Sequence, residues 1–255
     1  MSLLEVRGLT RDFGGLRALD DLGYAVARGP IHAVIGPNGA GKTTLFNLIA
    51  GIYVPTAGRI LIDGQDVTAL PTWRRARLGL ARSFQNLQLF ENMSGLDNVR
   101  TGLHRHEPAS LLGAMLAWPA IRRAERAGRK RAEELLAFVG LEAWAEVMAE
   151  AMPYGVLKRL EIARALASEP RLLMLDEPAA GLNATEKGEI DGLIRKVAAA
   201  GTTVVLVEHD MKLVMNLAER ILVLDHGRRL AEGTPAEVRA DPAVARAYLG
   251  TGHAA

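Results

Sequence analysis

Two hydrophobic patterns share this chain. Over residues 1–30, short apolar runs (LLEV, Tyr24-Ala25-Val26) alternate with turn sequences (Phe13-Gly14-Gly15, Arg28-Gly29), which predicts a small antiparallel sheet. IHAVIG at 31–36 is instead almost continuously apolar and runs into glycines and then a helix-forming stretch, the pattern of a strand buried on both faces. Three similar runs follow, RLLMLD at 171–176, TTVVLVEH at 202–209 and RILVLDHG at 220–227, with helical spacing over roughly 184–199 and 211–218 between them. Strand, helix, strand, helix, strand predicts an α/β domain built on a parallel sheet.

Residues 95–168 break this order with a stretch rich in Ala, Leu, Arg and Glu that offers no convincing strand, as an inserted helical subdomain would. Inside it, Arg122 to Arg131 holds six basic residues and one acid. Such runs are usually solvated helix faces, and contact with lipid headgroups or a partner is the alternative. No internal repeat is visible, so one copy of any site per chain is the most to expect.

GPNGAGKTT at 36–44 fits G-x-x-x-x-G-K-[ST] and lies between a buried strand and a helix, the context this motif requires. Gly36, Gly39 and Gly41 allow the backbone N–H groups that follow Pro37, along Asn38 and Ala40, to turn toward phosphate oxygens, and the helix starting near Gly41, which carries Lys42, Thr43 and Thr44, adds its positive end. Lys42 is expected at the β and γ phosphates and the Thr43 hydroxyl on Mg²⁺. The strand RLLMLDEP places Asp176 and Glu177 at its C-terminal end, where α/β sheets bind ligands; Asp176 would hold Mg²⁺ and Glu177 would act as general base on water. A mere polar stop to the strand is the weaker reading of that pair, given the apolar run before it and Pro178 after it. His209, ending another buried strand, could reach the γ phosphate, and Gln85, after a short strand, could reach metal and water; either residue alone carries little information. The remaining histidines, His32, His104, His106, His226 and His253, carry no such signal.

In this order, GPNGAGKTT, Gln85, LEIARAL, LMLDEP, AAGLN and VEHD closely resemble the nucleotide-binding subunit of ABC transporters, over almost the whole chain. ARSFQNLQLFENMSGLDNV, the long helical insert, VEHDMKLVM and DPAVARAYLG are similar to the ATPases of high-affinity branched-chain amino acid importers. The resemblance implies a RecA-like P-loop core with an N-terminal antiparallel β-subdomain and an inserted α-helical subdomain. The corresponding division of 1–250 is 1–30 for the β-subdomain, 31–94 and 169–233 for the nucleotide-binding core, 95–168 for the helical signature region and 234–250 for C-terminal helices. It implies ATP and Mg²⁺ as cofactors and assigns Gln85 to sensing the membrane subunit, Asn183 to coupling two ATPases, His209 to the γ phosphate and Phe13 to stacking on adenine, although a core phenylalanine fits position 13 nearly as well.

The family's Leu-Ser-Gly-Gly-Gln signature, whose glycines grip ATP bound to the opposite subunit, is written here Met152-Pro153-Tyr154-Gly155-Val156. Gly155 is thus expected at the partner's ATP, while Val156 and Leu157 stand where related sequences carry glutamines. If both faced nucleotide, two apolar side chains would replace amides there, and restoring glutamines would raise the rate. Partners implied are a second, different ABC ATPase subunit, two membrane permeases and, indirectly, a periplasmic binding protein, with the chain peripheral at the cytoplasmic face of the membrane. A soluble ABC ATPase of repair or translation, or a subunit that binds ATP but hydrolyses it poorly, are the alternatives.

Bulk properties narrow this little. Lys plus Arg 31 against Asp plus Glu 29 leaves a formal charge of +2 in 255 residues, so charge does not imply a nucleic-acid partner. With no cysteine there is neither a disulfide framework nor a thiolate metal site. The first residues show no secretory h-region, and the longest apolar window, LLGAMLAWPAI at 111–121, is broken by Pro119 at about half the ~20 residues that span a bilayer.

Overall fold

The computed structural model describes residues 2–83, 87–103 and 118–249, with side chains 118–121 and 249 excepted. The N-terminal alternation becomes a hairpin of β1 (Ser2–Phe13) and β2 (Leu16–Ala27). The apolar runs become β3 (Ile31–Ile35), β7 (Leu172–Asp176), β8 (Thr203–Val207) and β9 (Arg220–Asp225) of a six-stranded sheet. Its order is β10-β9-β3-β8-β7-β6, where β6 is Leu80–Arg82 and β10 is Arg228–Gly233. All neighbours are parallel except β9 and β10, which form a hairpin. Its turn, His226-Gly227, has φ of 44° and 76°, the paired positive angles a tight two-residue connection requires.

The strands read as continuously apolar because both faces of the sheet are covered. Ile31, Ala33, Ile35, Leu173, Leu175, Val204 and Leu206 face one core, shared with the helices that follow. Val34, Leu172, Met174, Val205 and Val207 face the other, shared with helix α1 (Lys42–Ala50) and the antiparallel sheet. The first core is closed by α3 (Gly95–Thr101), α4 (Trp118–Phe138), α5 (Tyr154–Ala167), α6 (Ala184–Ala199) and α7 (Met211–Leu217). Short α2 (Thr72–Arg77) precedes β6, and α8 (Pro235–Ala240) and α9 (Pro242–Leu249) end the fold.

The antiparallel sheet is larger than residues 1–30. Its order is β2-β1-β4-β5, with β4 (Ala57–Ile62) and β5 (Gln65–Asp66) drawn from the stretch assigned by sequence to the nucleotide-binding core. The free edge of β1 must pair, and β4 satisfies it in register, Leu4 opposite Ile62 and Val6 opposite Ile60, burying both isoleucines. No helix among the described residues is long and apolar enough to cross a membrane.

Candidate functional site

The C-terminal ends of β3, β7 and β8 converge on one edge of the sheet. β3 leaves the sheet at Gly36, whose φ of 152° and backbone approach to Leu224 leave no room for a side chain: an added Cβ would lie 2.2 Å from that carbonyl oxygen. Gly41, at φ 102°, is equally closed in by Ala18, so the loop is pinned against the β1–β2 hairpin, and the Gly227 N–H donates to Ala40 O at 3.1 Å. Asn38, Gly39 and Thr43 remain exposed, Pro37 and Thr44 half-buried. Lys42 turns back under this arch and donates from Nζ to Gly36 O (2.7 Å) and Pro37 O (2.9 Å). Burial holds its ammonium below the usual lysine range, opposed by the charges of Glu177 and Asp176. A buried ammonium whose hydrogen bonds, among the described residues, go to loop carbonyls, beside exposed loop backbone, fits an arriving phosphate.

Asp176 ends β7 fully buried, its backbone N–H donating to Ser83 Oγ at 3.1 Å. Glu177 turns sharply out of the strand at φ 49°, a left-handed backbone that a side chain with a Cβ adopts at a cost, and its N–H donates to Val207 O at 2.9 Å. That turn carries its carboxylate to His209, with Nε2 and Oε1 2.6 Å apart. The structure therefore brings Lys42, Asp176, Glu177 and His209 to one edge. Gln85 lies outside the described residues. Thr43 hydroxyl and Asp176 carboxylate are a hard-oxygen donor pair that suits Mg²⁺, which takes few protein ligands and completes its shell with water and phosphate; among the described residues no three or more His, Asp or Glu are placed so as to hold a metal ion by themselves.

Sequence reasoning missed two supports. Glu208 is buried, and its two oxygens accept from the N–H groups of Ala179 (2.8 Å) and His209 (3.1 Å), tying the loop after Glu177 to the loop carrying the histidine; burial pushes its carboxyl up. An acid inside VEHD was the available signal. Lys158, buried in α5, approaches Glu177 O with Nζ at 3.5 Å and stands over the Tyr154 ring. Phe13 is half-exposed at the tip of β1, with Tyr53 edge-on at 5.3 Å and the Arg11 guanidinium 4.4 Å from its ring centre, so it is a surface aromatic and not a core one.

The signature segment differs from expectation at one residue. Gly155 is buried at the head of α5, where a Cβ would come 2.6 Å from Glu186 Oε1. Glu186 is the reciprocal partner of Asn183 in the capping box that starts α6, so the signature glycine and the Asn183 loop abut within one chain. Val156, expected to face nucleotide, packs in the main core at 7% exposure, while Leu157 is half-buried. Helical geometry is the reason: from Gly155 onward one side of α5 rests on the core, and position 156 falls on that side.

A glycine arch closing on a buried lysine beside an Asp-Glu strand end defines a P-loop nucleotide-binding protein. The chain belongs to the ABC transporter family, which it matches over residues 19–180, and residues 228–254 match a branched-chain amino acid ATP-binding cassette transporter family; it is an ATPase of that type. Among curated relatives it is 45% identical over 249 residues to the high-affinity branched-chain amino acid transport ATP-binding protein BraF of Pseudomonas aeruginosa, covering 97% of this chain and 98% of that one. It is 44% identical over the same length to LivG of Escherichia coli, with the same description and coverage. A nucleotide-free ATP-binding cassette from an ABC transporter superposes with a TM-score of 0.85 at 28% identity, covering 97% of this chain and 99% of that one. An ABC cassette solved as a dimer in a post-hydrolysis state with ADP and Pi gives 0.77 at 26% identity, covering 91% and 98%.

Proposed function

We propose that this chain couples ATP hydrolysis to an importer of branched-chain amino acids or related solutes. The observation that carries the reading is the convergence of Lys42, Asp176, Glu177 and His209 at the carboxyl ends of β3, β7 and β8. Lys42 exchanges its two loop carbonyls for the β and γ phosphates of ATP, and the loop backbone from Gly36 to Thr44 surrounds them. Thr43 and Asp176 would hold Mg²⁺, with Gln85 the further residue expected to reach it, and the metal would neutralise phosphate charge. Glu177 accepts a proton from the attacking water, and His209, hydrogen-bonded to it, orients the carboxylate and contacts the γ phosphate. Phe13 offers its exposed face to adenine.

Gly155 serves a second nucleotide, bound by a second ATPase subunit, with Asn183 linking the two sites; the relative solved as a dimer supports a two-chain assembly. That partner is a different chain, and both act on membrane permeases fed by a periplasmic binding protein, with this subunit peripheral at the cytoplasmic face. The names of the relatives and the match at 228–254 support the cargo class. Glu177→Gln should bind ATP without hydrolysing it and accumulate an ATP-dependent dimer by light scattering. Rapid turnover by that variant rejects Glu177 as base, and unimpaired leucine, isoleucine and valine uptake in cells lacking the chain rejects the cargo.

A further inference from the structure

The carboxylate of Asp176 already has a cation. Arg82, at the end of β6, places NH2 2.8 Å from Asp176 Oδ2 and NH1 2.6 Å from Asn47 Oδ1 in α1, with its guanidinium 5.6 Å from the centre of the Phe46 ring. The two charged side chains are 6% and 3% exposed, and Ser83, the next residue, accepts from the Asp176 N–H. One guanidinium thus ties β6, β7 and the helix that follows the phosphate loop. A buried carboxylate left without a counter-charge is costly, so this pair is held firmly.

We infer that Arg82 is the resident counter-ion of Asp176, which orients that carboxylate and competes with the divalent cation for its charge, so that Arg82 sets how tightly the chain takes up metal with its nucleotide. The inference rests on Asp176 being the metal's ligand, as proposed above. A guanidinium 2.8 Å from the carboxylate oxygen opposes a second positive charge at the same group, and a divalent metal meets that field. Arg82 is therefore a positioning residue, acting on metal through Asp176, and its planar fork is suited to holding Asp176 and Asn47 together.

The test titrates the purified full-length chain, saturated with ADP, with Mn²⁺ by electron paramagnetic resonance, and records thermal unfolding with and without Mn²⁺–ADP. Arg82→Met should bind Mn²⁺ roughly tenfold more tightly than wild type, unfold at lower temperature without ligand, and recover most of that loss with Mn²⁺–ADP. Arg82→Lys, which keeps charge but cannot span both partners, should lie between; should the methionine variant fail to fold, tighter Mn²⁺ binding by the lysine variant carries the inference. Equal or weaker Mn²⁺ binding by the folded Arg82 variants, with the same stability loss in both states, overturns it and leaves an ordinary structural ion pair. Asp176→Asn separates the two claims. If it loses Mn²⁺ while the Arg82 variants gain nothing, only the role of Arg82 falls; if it binds Mn²⁺ like wild type, the metal assignment falls and takes this inference with it.

Discussion

Replacing Val156 with glutamine should destabilise the chain without accelerating it. Val156 lies in the main core at the first turn of α5, in the same cluster as Met152 and Leu160. A glutamine there places an amide in apolar surroundings, at a cost of about 1–3 kcal/mol when no partner is found. Its longer side chain must also displace packed neighbours, which adds roughly 1 kcal/mol or more. The total, about 2–4 kcal/mol, is a large share of the ~5–15 kcal/mol that holds a domain folded, and in a chain of this size it lowers the thermal midpoint by several degrees, roughly 4–16 °C. Leu157, half-buried, can turn an amide to water, so Leu157→Gln should cost no more than about 1 kcal/mol. Urea unfolding of the two single variants, followed by tryptophan fluorescence, measures the difference, and phosphate release from each reports the rate. A Val156→Gln chain as stable as wild type and several-fold faster would refute the packing argument and restore this position to the nucleotide.

Lys42→Ala removes the only charge in the loop, and ATP affinity measured by equilibrium dialysis should fall at least 100-fold, with ATPase activity lost; unchanged turnover would reject the site. Gly155→Ala must push aside the Glu186 carboxylate and so disturb the capping box of α6; a loss of about 1–2 kcal/mol is expected in chemical unfolding. His32 is buried, with Arg220 nearby, and both effects, burial first, hold its pKa down at about 4. Its folded value lies below the unfolded one, so the stability it protects is complete above about pH 6.5 and is lost as pH falls toward 4, up to about 3 kcal/mol. His32→Phe should flatten unfolding free energy against pH over that window, and an unchanged slope would reject the assignment. On the proposal that Gly155 completes a partner's site, the isolated chain should hydrolyse ATP slowly and speed up several-fold with a second, different subunit; an ATP-driven homodimer equally fast alone would reject that pairing.

What sequence alone determined is local or periodic. The spacing of Gly36, Gly41, Lys42 and Thr43 is a backbone requirement written in consecutive residues, and the apolar runs ending in Asp176 and Val207 declare buried parallel strands because both their faces need cover. Asp176-Glu177 at a strand end likewise announces where its carboxylates emerge. Tertiary structure decided whatever depends on partners distant in the chain. Residues 57–66 join the antiparallel sheet because the free edge of β1 needs hydrogen bonds, a demand invisible from those residues themselves. Val156 is core because of where α5 lies against the fold, which a two-residue comparison with a signature motif does not contain. Arg82 and Asp176 are 94 residues apart and meet only when β6 and β7 pair. Glu208 reaches Ala179, 29 residues earlier, for the same reason. Charge and hydrogen bonding act over a few ångströms of space, so a site built from the ends of β3, β7 and β8 has its motifs in the sequence and its electrostatics in the fold.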